Sequence, residues 1–170
     1  MKIAIIMGSK SDYPVVQKAE KILNQFTVPY ETRIISAHRT PKAAEQFAAT
    51  AEEKGIEVII AAAGKAAHLA GVLAANTALP IIGLPMKSST LDGLDSLLSV
   101  VQMPKGVPVA TVAIDGAENA ALLAIQILSV KYPALRKAMK DYKKEMEQTV
   151  MEIDAEFCAP QEQSTKLSEK

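Results

Sequence analysis

Short, wholly apolar runs alternate along this chain with segments whose apolar residues recur at helical spacing. Lys2–Met7 is β-rich and apolar on both faces, which suits a central strand of a parallel sheet covered by helices on each side. Val15, Val16, Ala19, Ile22, Leu23 and Phe26 then mark one face of a helix that Ser11 or Asp12 would cap, with Pro14 in its first turn. Tyr30–Ile35 reads as a second strand. Thr40 and Pro41 are an N-cap and first-turn pair for a helix running to Lys54, which Gly55 stops. Val58–Ala63 is a third, buried strand, followed by Gly64 and a small-residue helix over Ala66–Ala75. Ile81–Leu84 is a fourth strand, and the polar loop Pro85–Gly93 leads into a helix near Leu94–Gln102. Val109–Ile114 and Ala117–Val130 complete the series as a fifth strand and a long helix. Five strands alternating with helices predict an α/β fold built on a doubly wound parallel sheet, with the flavodoxin-like order 2-1-3-4-5.

Beyond Tyr132-Pro133 the pattern changes to a charged helix, Ala134–Val150, with a thin apolar stripe of Leu135, Ala138, Met139, Tyr142 and Met146. Such an appended helix packs on its own domain or on another subunit. The expected layout is one α/β domain over 1–150, including this helix, and a polar tail over 151–170 that is disordered from about Ala159. At 170 residues the chain is long enough for one substantial core, which must be aliphatic and Ala-rich because there are three Phe and no Trp.

Charge and cysteine content remove several function classes. Lys+Arg and Asp+Glu balance at 19 each, without a basic face or aromatic stacking residues, so nucleic-acid binding finds no support. Cys158 is the single cysteine and has no internal disulfide partner; with no signal peptide, a soluble cytoplasmic protein is expected. Val58–Ala63 is too short to cross a bilayer. Two His and one tail Cys make no recognisable metal-ligand set.

In the predicted strand order, ligands gather at the carboxyl ends of the strands near the point where the order reverses. Three polar turns fall there: Gly8–Asp12, Ser36–Pro41 and Gly64–His68. Gly8-Ser-Lys-Ser-Asp12 offers backbone curvature, two hydroxyls and a following helix N-terminus, as an anion site requires. It matches neither the P-loop nor the dinucleotide pattern, and Ser11 and Asp12 serve equally well as plain helix caps. In Ser36-Ala-His-Arg-Thr-Pro41, His38 is a proton-transfer candidate and Arg39 a phosphate clamp; a surface turn with an incidental His fits the same residues. His68 reads as a helix-surface or interface histidine, or as a second polar group in the site, while Lys65 reads as a solvated side chain. The hydroxyl-rich loop around Gly93 suits a lid that excludes water, or an ordinary exposed loop.

Several segments together resemble the bacterial N5-carboxyaminoimidazole ribonucleotide mutases of purine biosynthesis, in their class I form. The matching motifs are Gly8-Ser-Lys-Ser-Asp12, Ser36-Ala-His-Arg-Thr-Pro41, Ala63-Gly-Lys-Ala-Ala-His-Leu69, the continuous stretch Leu91–Pro104, Gly106–Ile114 and Asn119–Leu123. The resemblance implies a three-layer αβα sandwich assembled as a homo-octamer, and carboxyl transfer from N5 to C4 of an aminoimidazole ribonucleotide without metal or organic cofactor. It implies His38 as general acid/base and Ser9, Asp12 and Arg39 as substrate contacts, with Ser11 beside the phosphate and Asp12 on the ribose hydroxyls. Ser36, Gly64 and His68 complete the candidate substrate-binding set. The neighbouring class II activity, carboxylation of 5-aminoimidazole ribonucleotide by free carbon dioxide, and a non-catalytic phosphosugar-binding module are the alternatives. Two departures stand out: His68-Leu-Ala-Gly71 replaces the family's His-Leu-Pro-Gly, which predicts a local change in stiffness, and the tail after Val150 exceeds what the family needs.

Overall fold

The computed structural model describes residues 1–158. Five parallel strands form one sheet: β1 (Ile3–Met7), β2 (Tyr30–Ile34), β3 (Val58–Ala63), β4 (Ile81–Pro85) and β5 (Ala110–Thr111), in the order β2-β1-β3-β4-β5. This is the expected flavodoxin-like order. β1 and β3 pair in register from Ile3↔Val58 to Met7↔Ala62, so the turns that follow them emerge side by side. The helices are α1 (Tyr13–Gln25), α2 (Pro41–Ala49), α3 (Leu69–Ala74), α4 (Leu94–Val101), α5 (Ala117–Ser129) and α6 (Pro133–Cys158). No described helix is long and apolar enough to cross a membrane.

The two faces of the sheet each bury a separate aliphatic layer, which explains the continuous apolar runs of β1, β3 and β4. Ile3, Ile5, Met7, Ile60 and Leu84 meet α1, the alanine stripe of α5 and the start of α6. Ala4, Ile6, Ile59 and Ala61 meet Phe47 of α2, Leu73 of α3 and Val100 of α4. Small residues set the spacing on this second face. A Cβ on Gly83 would lie 2.2 Å from Val100 Cγ1 and 2.9 Å from Val109 Cγ1, so α4 and the approach to β5 lie directly on the β4 backbone.

Several boundaries differ from the sequence expectation. β5 is two residues long rather than six: among the described residues it pairs with β4 alone, through Ile82↔Ala110 and Gly83↔Thr111, and beyond it the chain keeps only scattered bonds to β4, Val112 N–H to Gly83 O and Asp115 N–H to Pro85 O. The helix expected to reach Lys54 ends at Ala49, and a separate tight turn over Glu52–Lys54 carries the chain to Gly55. The Ala66–Ala75 helix begins only at Leu69, because Lys65 takes a left-handed φ of 56° and Ala66–His68 closes a turn through His68 N–H to Ala66 O at 2.8 Å. Conversely, α6 continues at least eight residues past the expected Val150, through Cys158, the last described residue. The expected disorder from Ala159 onward lies outside the described residues.

α1 ends in a Schellman motif. Val28 N–H donates to Leu23 O (2.9 Å) and Thr27 N–H to Asn24 O (3.0 Å), and the two apolar partners, Leu23 and Val28, are buried together. The residue at the left-handed position is Thr27, with φ 55°.

Candidate active site

The turns after β1, β2 and β3 close around a cavity of about 520 Å³ at the carboxyl edge of the sheet. That size lies within the range of about 300–1,000 Å³ typical of small-molecule sites. All eight sequence-derived candidates, Ser9, Ser11, Asp12, Ser36, His38, Arg39, Gly64 and His68, line it. Lys87, Ser88 and Ser89 of the polar loop line it as well. In the sequence, the loop's hydroxyl-rich composition is their only signal.

The first turn is organised by Ser9. Its hydroxyl accepts from Ser11 N–H (3.3 Å) and Ser11 Oγ–H (2.8 Å), while its own N–H donates to Asp12 Oδ2 (3.2 Å). This capping box assigns the cap to Ser9 rather than to Ser11 or Asp12, because one turn of tighter helix, Lys10–Asp12, precedes α1. Ser11 remains exposed toward the cavity. Burial of Asp12 pushes its carboxyl above the usual carboxylate range; hydrogen bonds from Ser11 and the Ser9 backbone oppose that shift, and the negative charge of Asp115 adds to it.

The second turn closes on itself. Thr40 was expected to cap α2, yet its hydroxyl donates to Ser36 O (2.9 Å) and accepts from Ser36 N–H (3.1 Å), leaving no side-chain cap on that helix. Ser36 Oγ in turn accepts from Arg39 N–H (3.2 Å) and Arg39 Nε–H (3.3 Å). Arg39 Nη2 then crosses to Gly8 O at 3.0 Å and ties the second turn to the first. A guanidinium carries five N–H donors, and these side-chain contacts use two, so Arg39 keeps donors for an anion in the cavity.

The second and third turns meet through their histidines. His38 Nε2 lies 2.9 Å from His68 Nδ1, with the rings edge-on at an interplanar angle of 86°. Because one ring must donate and the other accept, a neutral pair shares a single proton along this contact. His68 sits at the N-cap position of α3 rather than inside a helix, which lets its ring reach His38. Gly64 forms the floor beside Met86, where an added Cβ would make an ordinary 3.5 Å contact. Among the described residues no group of three His, Cys, Asp or Glu side chains is placed to hold a metal ion.

A sequence model of the family described as AIR carboxylase matches residues 2–149. The chain belongs to the AIR carboxylase family. Within that family, the N5-carboxyaminoimidazole ribonucleotide mutase of Pyrococcus abyssi is 63% identical over 145 residues, covering 85% of this chain and 83% of that protein. The phosphoribosylaminoimidazole carboxylase of Schizosaccharomyces pombe is 54% identical over 150 residues, which make up 88% of this chain and 27% of that protein. The crystal structure of Treponema denticola PurE superposes with a TM-score of 0.82 at 28% identity, covering 94% of this chain and 99% of that one. The AIR carboxylase match spans every turn that lines the cavity.

Proposed function

We propose that this AIR carboxylase family member converts N5-carboxyaminoimidazole ribonucleotide to 4-carboxy-5-aminoimidazole ribonucleotide in de novo purine biosynthesis, with His38 as the proton-transfer group. The observation that carries the assignment of His38 is its place at the cavity, within hydrogen-bond reach of His68 and next to a guanidinium with free donors. Arg39 and the Ser9–Ser11 hydroxyls face the substrate phosphate, and Asp12 accepts from the ribose hydroxyls. Ser36 holds Arg39 in place, while Gly64 and His68 border the aminoimidazole.

The chemistry is an internal exchange. Protonated His38 gives its proton to N5, the N5–C bond breaks, and carbon dioxide is released beside the enamine-like C4. C4 attacks that carbon dioxide, forming the new C–C bond, and His38 takes the proton displaced from C4. One proton and one carboxyl group move within a single molecule, so the balance requires no metal, oxidant or organic cofactor. Sequestering the site from water keeps carbon dioxide from escaping or exchanging with bicarbonate, which is the task of the loop carrying Lys87–Ser89.

The S. pombe relative's name favours one second reading, carboxylation of aminoimidazole ribonucleotide by free carbon dioxide. Supplying either N5-carboxyaminoimidazole ribonucleotide, or aminoimidazole ribonucleotide plus bicarbonate, and following the C4-carboxylated product separates the two. His38→Asn is expected to keep ligand binding and to lower turnover at least about a hundredfold, the usual scale for a lost general acid/base. Unchanged turnover would remove His38 from the mechanism, and absence of turnover in the wild type would leave a phosphosugar-binding module.

Residues 1–150 are read as one catalytic domain working in the cytoplasm as a homo-oligomer, an octamer on the family resemblance. Two apolar surfaces support association: Leu94, Leu98 and Val101 on α4, and Val150, Ile153 and Phe157 on α6, all exposed. The α6 residues follow Leu135 and Met139, which are buried, along one helix. Light scattering of the full chain measures the subunit number directly.

A further inference from the structure

We propose that Asp115 is a positioning residue that holds the cavity loop 86–93 in place by accepting the backbone N–H of Lys87. It does not line the cavity, yet two of its groups bracket the start of the loop: its N–H donates to Pro85 O at 2.9 Å, and its Oδ1 accepts from Lys87 N–H at 2.8 Å. Only Met86 lies between these two anchors, and the second of them, Lys87, faces the cavity with Ser88 and Ser89.

The backbone of Asp115 is left-handed, with φ 55°, a conformation that Asp tolerates better than most residues. That geometry turns the carboxylate back toward β4 instead of out along α5. The other end of the loop returns to the same place. A Cβ on Gly93 would lie 2.8 Å from Ile114 Cγ2 and 3.2 Å from Lys87 Cα, so the two ends of the loop meet over Ile114–Asp115. Ser88 Oγ–H adds a bond to Asp95 Oδ1 at 2.7 Å, while Ser89–Asp92 stay exposed. The loop is thus a fixed base with an exposed tip, whose bonds (Thr90 N–H to Ser88 Oγ, Asp92 to Lys87) run back to the loop itself, and Asp115 is the side chain that fixes Lys87. Its effect on substrate rests on the reading proposed above; its effect on the loop does not.

Two variants test this on the whole chain. Asp115→Asn keeps an oxygen acceptor and tolerates the left-handed backbone, whereas Asp115→Gly removes the acceptor and relieves the backbone. The first readout is amide hydrogen exchange of Lys87 in ligand-free protein, which needs no substrate. We expect about tenfold faster exchange in Asp115→Gly and near-wild-type exchange in Asp115→Asn, the scale of one lost hydrogen bond to a charged acceptor. The second is a split between KM and kcat with N5-carboxyaminoimidazole ribonucleotide: Asp115→Gly raises KM with kcat little changed, and Asp115→Asn restores KM. Unchanged Lys87 exchange in Asp115→Gly, or equal loss in both variants, overturns the hook. Turnover absent from the wild type while the exchange result holds refutes the proposed activity and leaves Asp115 in its role.

Discussion

Ser96 offers a direct measure of how firmly the cavity loop is tied to the core. Its side chain is fully buried, and its hydroxyl lies 2.6 Å from Met86 O and 2.8 Å from Gly93 O, the two ends of the loop. A hydroxyl has one hydrogen, so the shorter contact marks Met86 O as its main acceptor. Gly93 O also receives Leu97 N–H at 2.9 Å, within α4, and so keeps a partner when the hydroxyl is removed. Met86 is buried, and Ser96 supplies the donor to its carbonyl. Ser96→Ala therefore removes a net hydrogen bond of about 1 kcal/mol and strands a buried carbonyl, giving a total near 2 kcal/mol. For a chain of this length each kcal/mol moves the thermal midpoint by about 2–4 °C, so a fall of about 4–8 °C is expected.

The assay is thermal unfolding followed by far-ultraviolet circular dichroism, with Thr149→Ala as control. Thr149 Oγ1–H makes the same kind of bond to Glu145 O (2.8 Å), but on an exposed stretch of α6 where water replaces it. That variant is expected to be neutral or slightly stabilising, because Ala is the better helix former. Equal midpoints for Ser96→Ala and wild type would refute the view that the loop ends are clamped through this hydroxyl.

Two further outcomes follow from strain and from burial. Thr27 is a β-branched residue in the left-handed position that closes α1, a place glycine normally fills. Thr27→Gly is expected to gain about 0.5–1 kcal/mol, the relief of left-handed strain less the extra freedom of glycine in the unfolded chain, measured as a higher urea midpoint; a lower midpoint would show that the turn is unstrained. For Asp12, burial raises the carboxyl pKa above its ordinary value of 3.8. On the proposed reading, in which the ionised form accepts from ribose, that form is lost as pH falls through the raised value, so KM rises on the acid side sooner than an ordinary carboxylate would allow. Asp12→Asn should flatten this limb of the KM profile, and a limb that persists in the variant assigns it to another group.

Much of this architecture is legible in the sequence because it depends on local period. The runs at β1, β3 and β4 are apolar on both faces because each face is covered, and that pattern gives the strands, while their order comes from the common topology of alternating strands and helices. Gly55, with φ 74°, ends its turn as its position foretold. What the period does not carry is where a side chain finds its partner. Thr40 leaves α2 without a side-chain cap, and Ser9 rather than Ser11 or Asp12 closes a capping box, because hydrogen bonds within each turn outweigh the generic cap. His68 leaves the helix because Lys65, a residue with no turn signature, adopts a left-handed backbone. Asp115 escapes notice for the same reason: its partner lies 28 positions away in the chain, across the edge of the sheet.

The three turns share one property that bears on how the site could act. Each functional side chain already satisfies part of its bonding capacity within the protein and keeps part of it open. Arg39 commits donors to Gly8 O and Ser36 Oγ yet has others left. Asp12 accepts from Ser9 N–H and has the Ser11 hydroxyl at 3.4 Å, whose single hydrogen is shared with the nearer Ser9 Oγ, so at least two of the roughly four lone-pair directions of the carboxylate stay open. The imidazoles of His38 and His68 use one nitrogen each on one another, leaving one nitrogen per ring for a ligand. A ligand can therefore be received without first breaking the bonds that hold the turns together, so ordering of the site is completed by folding rather than charged against binding. On the proposed reading, the loop is the exception. Its tip, Ser89–Asp92, is exposed while its base is pinned, so any movement on binding should be confined to those four residues and end at Lys87 and Gly93.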